Sequence, residues 1–337
     1  MLPARELGET GVATSAIGFG CAGLFRLPRR RNRMMVLNAA FDTGIRHFDT
    51  APMYGLGLAE SELGAFIKSR RAQVTVTTKF GIEPTVLTTG LAPLQAPGRA
   101  MLARRPDVNE DLKKRGKTSD SGLVGKLLYR SPRLAVRTAQ RSLEASLRAL
   151  QTDYIDVFLL HDPVYGRLVN PPELVDYLDE QRKAGRIRCW GVTGMPDAVH
   201  AVRKCLRWPA VIQHRDDVFE SSAVGSTSGA RITYGALARA LVVFSDYFAQ
   251  TPGAADIWSE RLGFDVIGGA ELSQFLFGAA LSRNSVGPVL FTTTKPTHVS
   301  LAAAATVKAS PPVDVSDAFA ELTAVVRAAV LIQTREK

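Results

Sequence analysis

Short runs rich in β-branched and aromatic residues alternate with stretches of helical period along most of the 337-residue chain. Brief apolar runs bounded by turn residues mark strands, and apolar residues three and four apart mark one face of a helix. On these rules SAIGFG, near 15–20, is a strand, followed by a helix near 32–43 and a strand in GIRHFDT near 44–50. A helix near 58–69 and a strand in QVTVTTK near 73–79 come next. After an interruption the alternation resumes with a helix near 133–149, strand YIDVFLLH near 154–161, helix PPELVDYLDEQRKAG, strand IRCWGVT, helix PDAVHAVRKCL and strand AVIQ. The helix over 172–185 carries the punctuation it needs, with Pro171 and Pro172 where a missing N–H costs nothing and Gly185 at the exit.

The last third is less regular. RITYGAL reads as the seventh strand; the alternative makes 232–241 the sixth helix and LVVFS the seventh strand. The interval from Gln213 to Ile232 is too short for a loop, a full helix and a turn, so the sixth helix is expected to be missing or displaced, and SSAVGSTSGA (221–230) is a small-residue loop. Helix GAELSQFLFGAALSRN and strand PVLFTTT near 288–294 supply the eighth unit. Eight strands in one series predict an α/β fold of the (β/α)8 TIM-barrel type, one domain over 1–337, rather than a nucleotide-binding domain with a second domain. The interruption, roughly 81–131, is rich in Gly, Pro and basic residues. Because this long insertion follows the third strand it belongs to the face where barrel active sites lie, and a lid or pocket wall is expected in preference to passive decoration.

Composition narrows the class without choosing the fold. Hydrophobic residues make up 46% and charged residues 22% of the chain, the balance of a soluble globular protein with a sizeable core rather than a disordered or fibrous one. Cys21, Cys189 and Cys205 are an odd number without CxxC spacing, which predicts neither a disulfide framework nor a zinc site and fits a reducing cytoplasm. MLPARELGETGV at the start lacks the apolar core of a secretory signal, and no stretch approaches the roughly 20 apolar residues of a membrane span. A soluble, cytoplasmic protein with no membrane partner is the expectation. The net charge of +10 raises the question of nucleic acid, but the densest basic clusters, Arg29 to Arg33 and Lys113 to Lys117, are short, far apart and free of interleaved aromatics. No nucleic-acid partner is expected; a pyrophosphate-bearing cofactor or an anionic substrate accounts for a positive mouth as well.

GFGCAG offers Gly18, Gly20 and Gly23 in a loose GxGxxG, but it leads into charged residues instead of opening a helix, and a βα turn needing small residues explains it at least as well. Strand ends are more informative. Asp49, Lys79 and His161 end the second, third and fourth strands, and Tyr54 lies just past the second, so all four fall on the face where catalysis is expected. Reduction of a carbonyl needs a proton donor to the developing alkoxide, and a Tyr of pKa about 10 is a poor acid at neutral pH unless its surroundings change it. A Lys79 cation would lower that pKa, Asp49 would hold the Lys, and His161 would donate to the substrate oxygen. Each residue also has an ordinary reading: Asp49 as a turn cap, Tyr54 as a rim residue, Lys79 as a solvated strand end, His161 as a satisfied core histidine. Their joint placement at the ends of successive strands favours the catalytic one.

With GIRHFDTAPMYG, VTVTTKFG and LQTDYIDVFLLHDP in view, the chain resembles the aldo-keto reductase family, from about residue 5 to 215 and again over 266–305. The resemblance implies a barrel, NADP or NAD as cofactor, a small carbonyl or alcohol substrate, and catalytic Asp49, Tyr54, Lys79 and His161. It also implies cofactor contacts at Gly20, at Gln213 on the sixth strand and at Tyr234, the ring expected to stack on nicotinamide. Where the family usually carries Ser-Asn after the fifth strand, GVTGMP offers Thr193 and Gly194, similar to the aldose-dehydrogenase-like branch. FTTTKPTHV resembles the adenosine-phosphate loop and brings in Thr292, Thr293, Lys295 and His298, with Thr292 and His298 where a Lys and an Arg often stand. Leu301 and Ala302 replace the usual adenine contacts, which leaves NADP and NAD both open. A non-catalytic nicotinamide-binding regulatory subunit on the same fold is the rival, since a fold does not fix a function.

Overall fold

In the computed structural model, which describes residues 2–91, 127–207, 210–219, 229–306 and 313–335, a short antiparallel hairpin comes first, β1 (Ala4–Glu6) with β2 (Ala13–Ser15). Eight parallel strands then close into a barrel: β3 (Ile17–Gly20), β4 (His47–Asp49), β5 (Thr75–Phe80), β8 (Ile155–His161), β9 (Ile187–Thr193), β10 (Val211–Arg215), β11 (Ala230–Tyr234) and β12 (Val289–Phe291), which pairs back onto β3. Helices α1 (Arg30–Asp42), α2 (Ala59–Ile67), α4 (Val136–Leu150), α5 (Pro171–Lys183) and α6 (Pro196–Arg203) alternate with the strands, following the (β/α)8 order expected from the sequence.

Strand periodicity decides which side chains face the barrel axis. In β8, Val157 and Leu159 join an interior cluster with Cys189, Val211, Ala230, Ile232 and Leu290, whereas Phe158 and Leu160 join the outer core beneath the helices. Side chains alternate faces along a strand, so His161 continues the interior row at its end. Leu7 and Val12, from the hairpin turn, complete the interior cluster. The inner rows tolerate no added bulk at certain points: a Cβ on Gly191 would stand 1.9 Å from the Val211 carbonyl oxygen. Gly191→Ala is expected to cost about 3 kcal/mol by overpacking, measurable as a lower denaturation midpoint in urea; unchanged stability would mean that β9 and β10 separate easily.

RITYGAL supplies the seventh strand, β11, and the alternative placing a helix at 232–241 with LVVFS as strand is overturned. LVVFS lies in α7 (Ala238–Gln250), where Ala240, Phe244 and Phe248 are buried at helical spacing. A short all-apolar run carries no period of its own, which is why both readings were open. Between β10 and β11 no barrel helix occurs among the described residues; most of the small-residue loop at 221–230 lies outside them. After α7 come α8 (Ala254–Leu262), α9 (Ala270–Arg283), α10 (Pro296–Ala304) and α11 (Val313–Arg335). Helices α7, α8, α9 and α11 share a second apolar cluster around Phe244, Trp258, Leu276 and Phe319, which the strand–helix alternation did not anticipate.

Of the insertion at 81–131, residues 92–126 lie outside the described residues. Its base is a two-stranded antiparallel pair, β6 (Glu83–Pro84) with β7 (Tyr129–Arg130), followed on the first side by α3 (Val86–Leu91). Glu83 accepts hydrogen bonds from Arg130 Nε at 3.0 Å and Arg141 Nη2 at 2.9 Å. No described helix is long and apolar enough to cross a membrane.

Candidate active site

The C-terminal ends of the barrel strands bring the expected residues together from four directions. Asp49 closes β4, Lys79 is the penultimate residue of β5, and His161 closes β8. Tyr54 arrives on the loop after β4, at the start of a 3₁₀ turn over Tyr54–Gly57. That turn runs through left-handed backbone at Gly55 (φ 59°), Leu56 (φ 56°) and Gly57 (φ 94°). Gly55 is needed twice over, because a Cβ there would also stand 2.4 Å from the Phe25 ring.

Beneath Tyr54 lies a buried charge pair. Lys79 Nζ donates to Asp49 Oδ1 at 2.6 Å and to the Thr50 carbonyl at 2.8 Å, while Gln213 Nε2 donates to Asp49 Oδ2 at 2.6 Å. The Lys79 side chain is 1% exposed, so it is no solvated strand end. Burying two ions is costly unless each is paired and hydrogen-bonded, a condition these contacts meet. Lys79 Nζ also sits 4.9 Å from the centroid of the Tyr54 ring, and the His161 ring meets Tyr54 edge-on at 6.1 Å.

Two histidines show what distinguishes this corner. His47, deep in the barrel, is satisfied on both sides: Nδ1 contacts Thr75 Oγ1 at 3.0 Å and Nε2 contacts Thr77 Oγ1 at 3.1 Å. His161 Nδ1 is buried without a hydrogen-bond partner among the described residues. Burial, helped by the Lys79 charge, pushes the His161 pKa down to about 3, so the imidazole is neutral at physiological pH. Tyr54 departs from the sequence expectation. Desolvation raises its pKa above the ordinary phenol value and outweighs the downward pull of Lys79. For Lys79 burial works against the ammonium, but Asp49 and Tyr54 more than compensate and its pKa is raised. The site therefore holds an ammonium, a protonated phenol and a neutral imidazole around one point.

These groups open into a cavity of about 850 Å³, within the range of cofactor and ligand pockets. Of the expected residues, Gly20, Asp49, Tyr54, His161, Thr193, Gln213, Tyr234, Thr292, Thr293 and His298 line it. Lys79 stands behind Asp49 and Tyr54, Gly194 is buried with its N–H donating to the Gln213 carbonyl, and Lys295 is exposed; none of these three is on the lining. Thr292 Oγ1 donates to the Gly20 carbonyl at 2.9 Å. A Cβ on Gly20 or Gly23 would lie 2.7 or 2.6 Å from Thr292, so these glycines let the ends of β3 and β12 close together as one wall. Gly18 has a different task, making room for His47 and Leu290, and GFGCAG runs into a short 3₁₀ turn, Cys21–Arg26, with α1 beginning only at Arg30, so it does not sit at the N-terminus of an α-helix as a phosphate loop would.

Sequence reasoning missed several lining residues, chiefly Arg26, Asp162, Ser273 and Gln274. Arg26 was overshadowed by the denser basic run that follows it, and Asp162 by the histidine before it. Ser273 and Gln274 sit on α9, whose pattern is mainly that of a packing helix.

Residues 16–215 match the model of the aldo/keto reductase family. The chain belongs to that family. It is 33% identical over 159 residues to D-threo-aldose 1-dehydrogenase of a Pseudomonas species, covering 45% of this chain and 41% of the relative. It is 28% identical over 199 residues to L-galactose dehydrogenase of Arabidopsis thaliana, covering 57% of this chain and 48% of the relative. The chain thus spans less than half the length of these curated relatives. Among solved structures, a glycerol dehydrogenase from Gluconobacter oxydans superposes with a TM-score of 0.65 at 18% identity, covering 97% of this chain and 95% of that one. A holo-form aldo-keto reductase from Bacillus halodurans gives 0.66 at 18% identity, covering 94% and 96%. These two likenesses concern the fold.

Proposed function

We propose that this chain is an NAD(P)-dependent oxidoreductase that interconverts a carbonyl, in an aldehyde, ketone or sugar, and the corresponding alcohol. One observation carries the reading: a phenol and a neutral imidazole, Tyr54 and His161, meet on the wall of a cavity beside the buried Asp49–Lys79 pair. The dehydrogenase names of the aldose and galactose relatives support the reaction class.

The residues fit a dinucleotide. Thr193 and Gln213 line the cavity and would hold the nicotinamide amide, Tyr234 would offer a ring face, and the wall made by Gly20, Thr292, Thr293 and His298 would take the adenosine half. When bound, the nicotinamide supplies or accepts the hydride at the substrate carbon. The protein's own part is the proton and the position. A substrate oxygen held between Tyr54 and His161 receives a hydrogen bond from the imidazole and, as negative charge develops on it, the Tyr54 proton. The raised phenol pKa keeps that proton available at neutral pH, and the Lys79 ammonium, fixed by Asp49, stabilises the tyrosinate left behind. Titration of dinucleotide fluorescence, followed by turnover assays on aldehydes, ketones and sugars with NAD and NADP in both directions, tests the reading. Binding without turnover across the panel would contradict it.

Among the described residues Arg26 is the one Lys or Arg on the cavity lining, beside Gly23 and Thr292, and so is the cation that would meet a pyrophosphate. Arg26→Gln is expected to weaken binding of the dinucleotide and of ADP by about tenfold, the scale of one charge-assisted hydrogen bond. Adenosine, which lacks the charge, should bind variant and wild type alike. Equal affinity for ADP in both proteins would remove Arg26 from the cofactor site.

A further inference from the structure

Next to His161 the cavity wall carries a carboxylate that the proton-transfer scheme does not use. Asp162 lines the cavity and is held in left-handed backbone at φ 44°, a conformation that costs a non-glycine residue about 1–2 kcal/mol. The fold fixes it there from both sides. Its N–H donates to the Thr193 carbonyl at 2.8 Å, and Gly194 leaves its carboxylate space, because a Cβ at that position would stand 3.0 Å from Asp162 Oδ1. Asp162 Oδ2 lies 4.0 Å from His161 Nε2, too far for a direct hydrogen bond, so the two groups can each engage a different oxygen of one substrate. The side chain is 57% exposed, and its carboxylate accepts no hydrogen bond from another described residue. Burial of the rest of the group raises its pKa, with Lys79 acting the other way.

We infer that Asp162 selects the substrate: it accepts a hydrogen bond from a hydroxyl on the carbon beside the reacting carbon, so that the site favours neutral hydroxy-aldehydes, hydroxy-ketones and polyols. The inference rests on the oxidoreductase reading above. An ionised carboxylate offers acceptors only, which suits a hydroxyl, leaves an alkyl group unpaired and repels a second carboxylate. The position follows from the same histidine. A substrate oxygen bound to His161 is one short step from Asp162 Oδ2, the step from one oxygen to the next along a hydroxylated chain.

The experiment compares kcat/KM for glyceraldehyde, propanal and succinic semialdehyde in wild type, Asp162→Asn and Asp162→Gly, both replacements compatible with left-handed backbone. In wild type glyceraldehyde is expected to be preferred over propanal. In Asp162→Gly the glyceraldehyde-to-propanal ratio should fall about tenfold, mostly through KM, as for the loss of one hydrogen bond to a charged group; in Asp162→Asn, whose neutral amide oxygen still accepts, it should fall less. Succinic semialdehyde should gain relative to propanal as the like charge disappears. A ratio that is the same in all three proteins, or variants that lose both neutral aldehydes equally, would overturn the assignment while leaving the oxidoreductase reading intact. Wild-type protein that binds dinucleotide and turns over no substrate would overturn both.

Discussion

Tyr54→Phe is expected to lower turnover by roughly 10²-fold or more while leaving dinucleotide affinity nearly unchanged, because the phenol proton is the one group the scheme spends on the substrate oxygen. The change removes an oxygen and leaves the ring, so the edge-on contact with His161 and the packing over Lys79 are kept. Single-turnover rates with saturating reduced cofactor, compared with the dissociation constant from fluorescence titration, separate the two effects. Activity within about threefold of wild type would reject Tyr54 as the acid. His161 cannot take over as a charged acid, since its pKa of about 3 keeps the ring neutral over the whole working range.

Lys79→Met is expected to act on both chemistry and stability. The ammonium pulls the Tyr54 pKa down against burial, so removing it moves that pKa further up, and the alkaline limb of the activity profile should shift to higher pH as activity falls. Asp49 would then be a buried carboxylate held by Gln213 with its cation gone, and breaking such a pair costs about 3–5 kcal/mol. Asp49→Asn keeps the Lys79 ammonium on the Thr50 carbonyl but removes an anion that raises the Tyr54 pKa, so its alkaline limb should move the other way, to lower pH. Urea unfolding and pH–rate profiles of the two variants check this. An unmoved alkaline limb in both would mean that Lys79 is uncoupled from the proton donor.

Much of this arrangement was legible before the fold was seen, for a reason visible in β8. An apolar run of strand length, Val157 to Leu160, ends on a polar residue, His161, so the strand and the chemistry at its C-terminal end are both visible in the sequence. The same logic brought Asp49 and Lys79 to one face. The direction of the Tyr54 shift was not legible, since the neighbouring cation can be read from sequence but the degree of desolvation cannot. Lys295 illustrates a second limit: proximity to Thr293 along the chain does not bring its side chain onto the cavity lining. Arg26 and Asp162 reach the lining through a 3₁₀ turn and a left-handed residue, geometries that no hydrophobic period encodes. In the last third the chain builds a helical cluster around Trp258 and Phe319 beside the barrel, and there the strand–helix rhythm loses its meaning.

The central claim, that this cavity passes a hydride between a nicotinamide and a carbonyl carbon while Tyr54 supplies the proton, is tested most directly by label transfer. Wild-type protein is incubated with reduced cofactor deuterated at the transferring ring position and with glyceraldehyde, and the alcohol is analysed by mass spectrometry. One deuterium is expected on the new carbinol carbon, formed by wild type and nearly abolished in Tyr54→Phe. An alcohol product without the label, or labelled product formed equally fast by Tyr54→Phe, would contradict it.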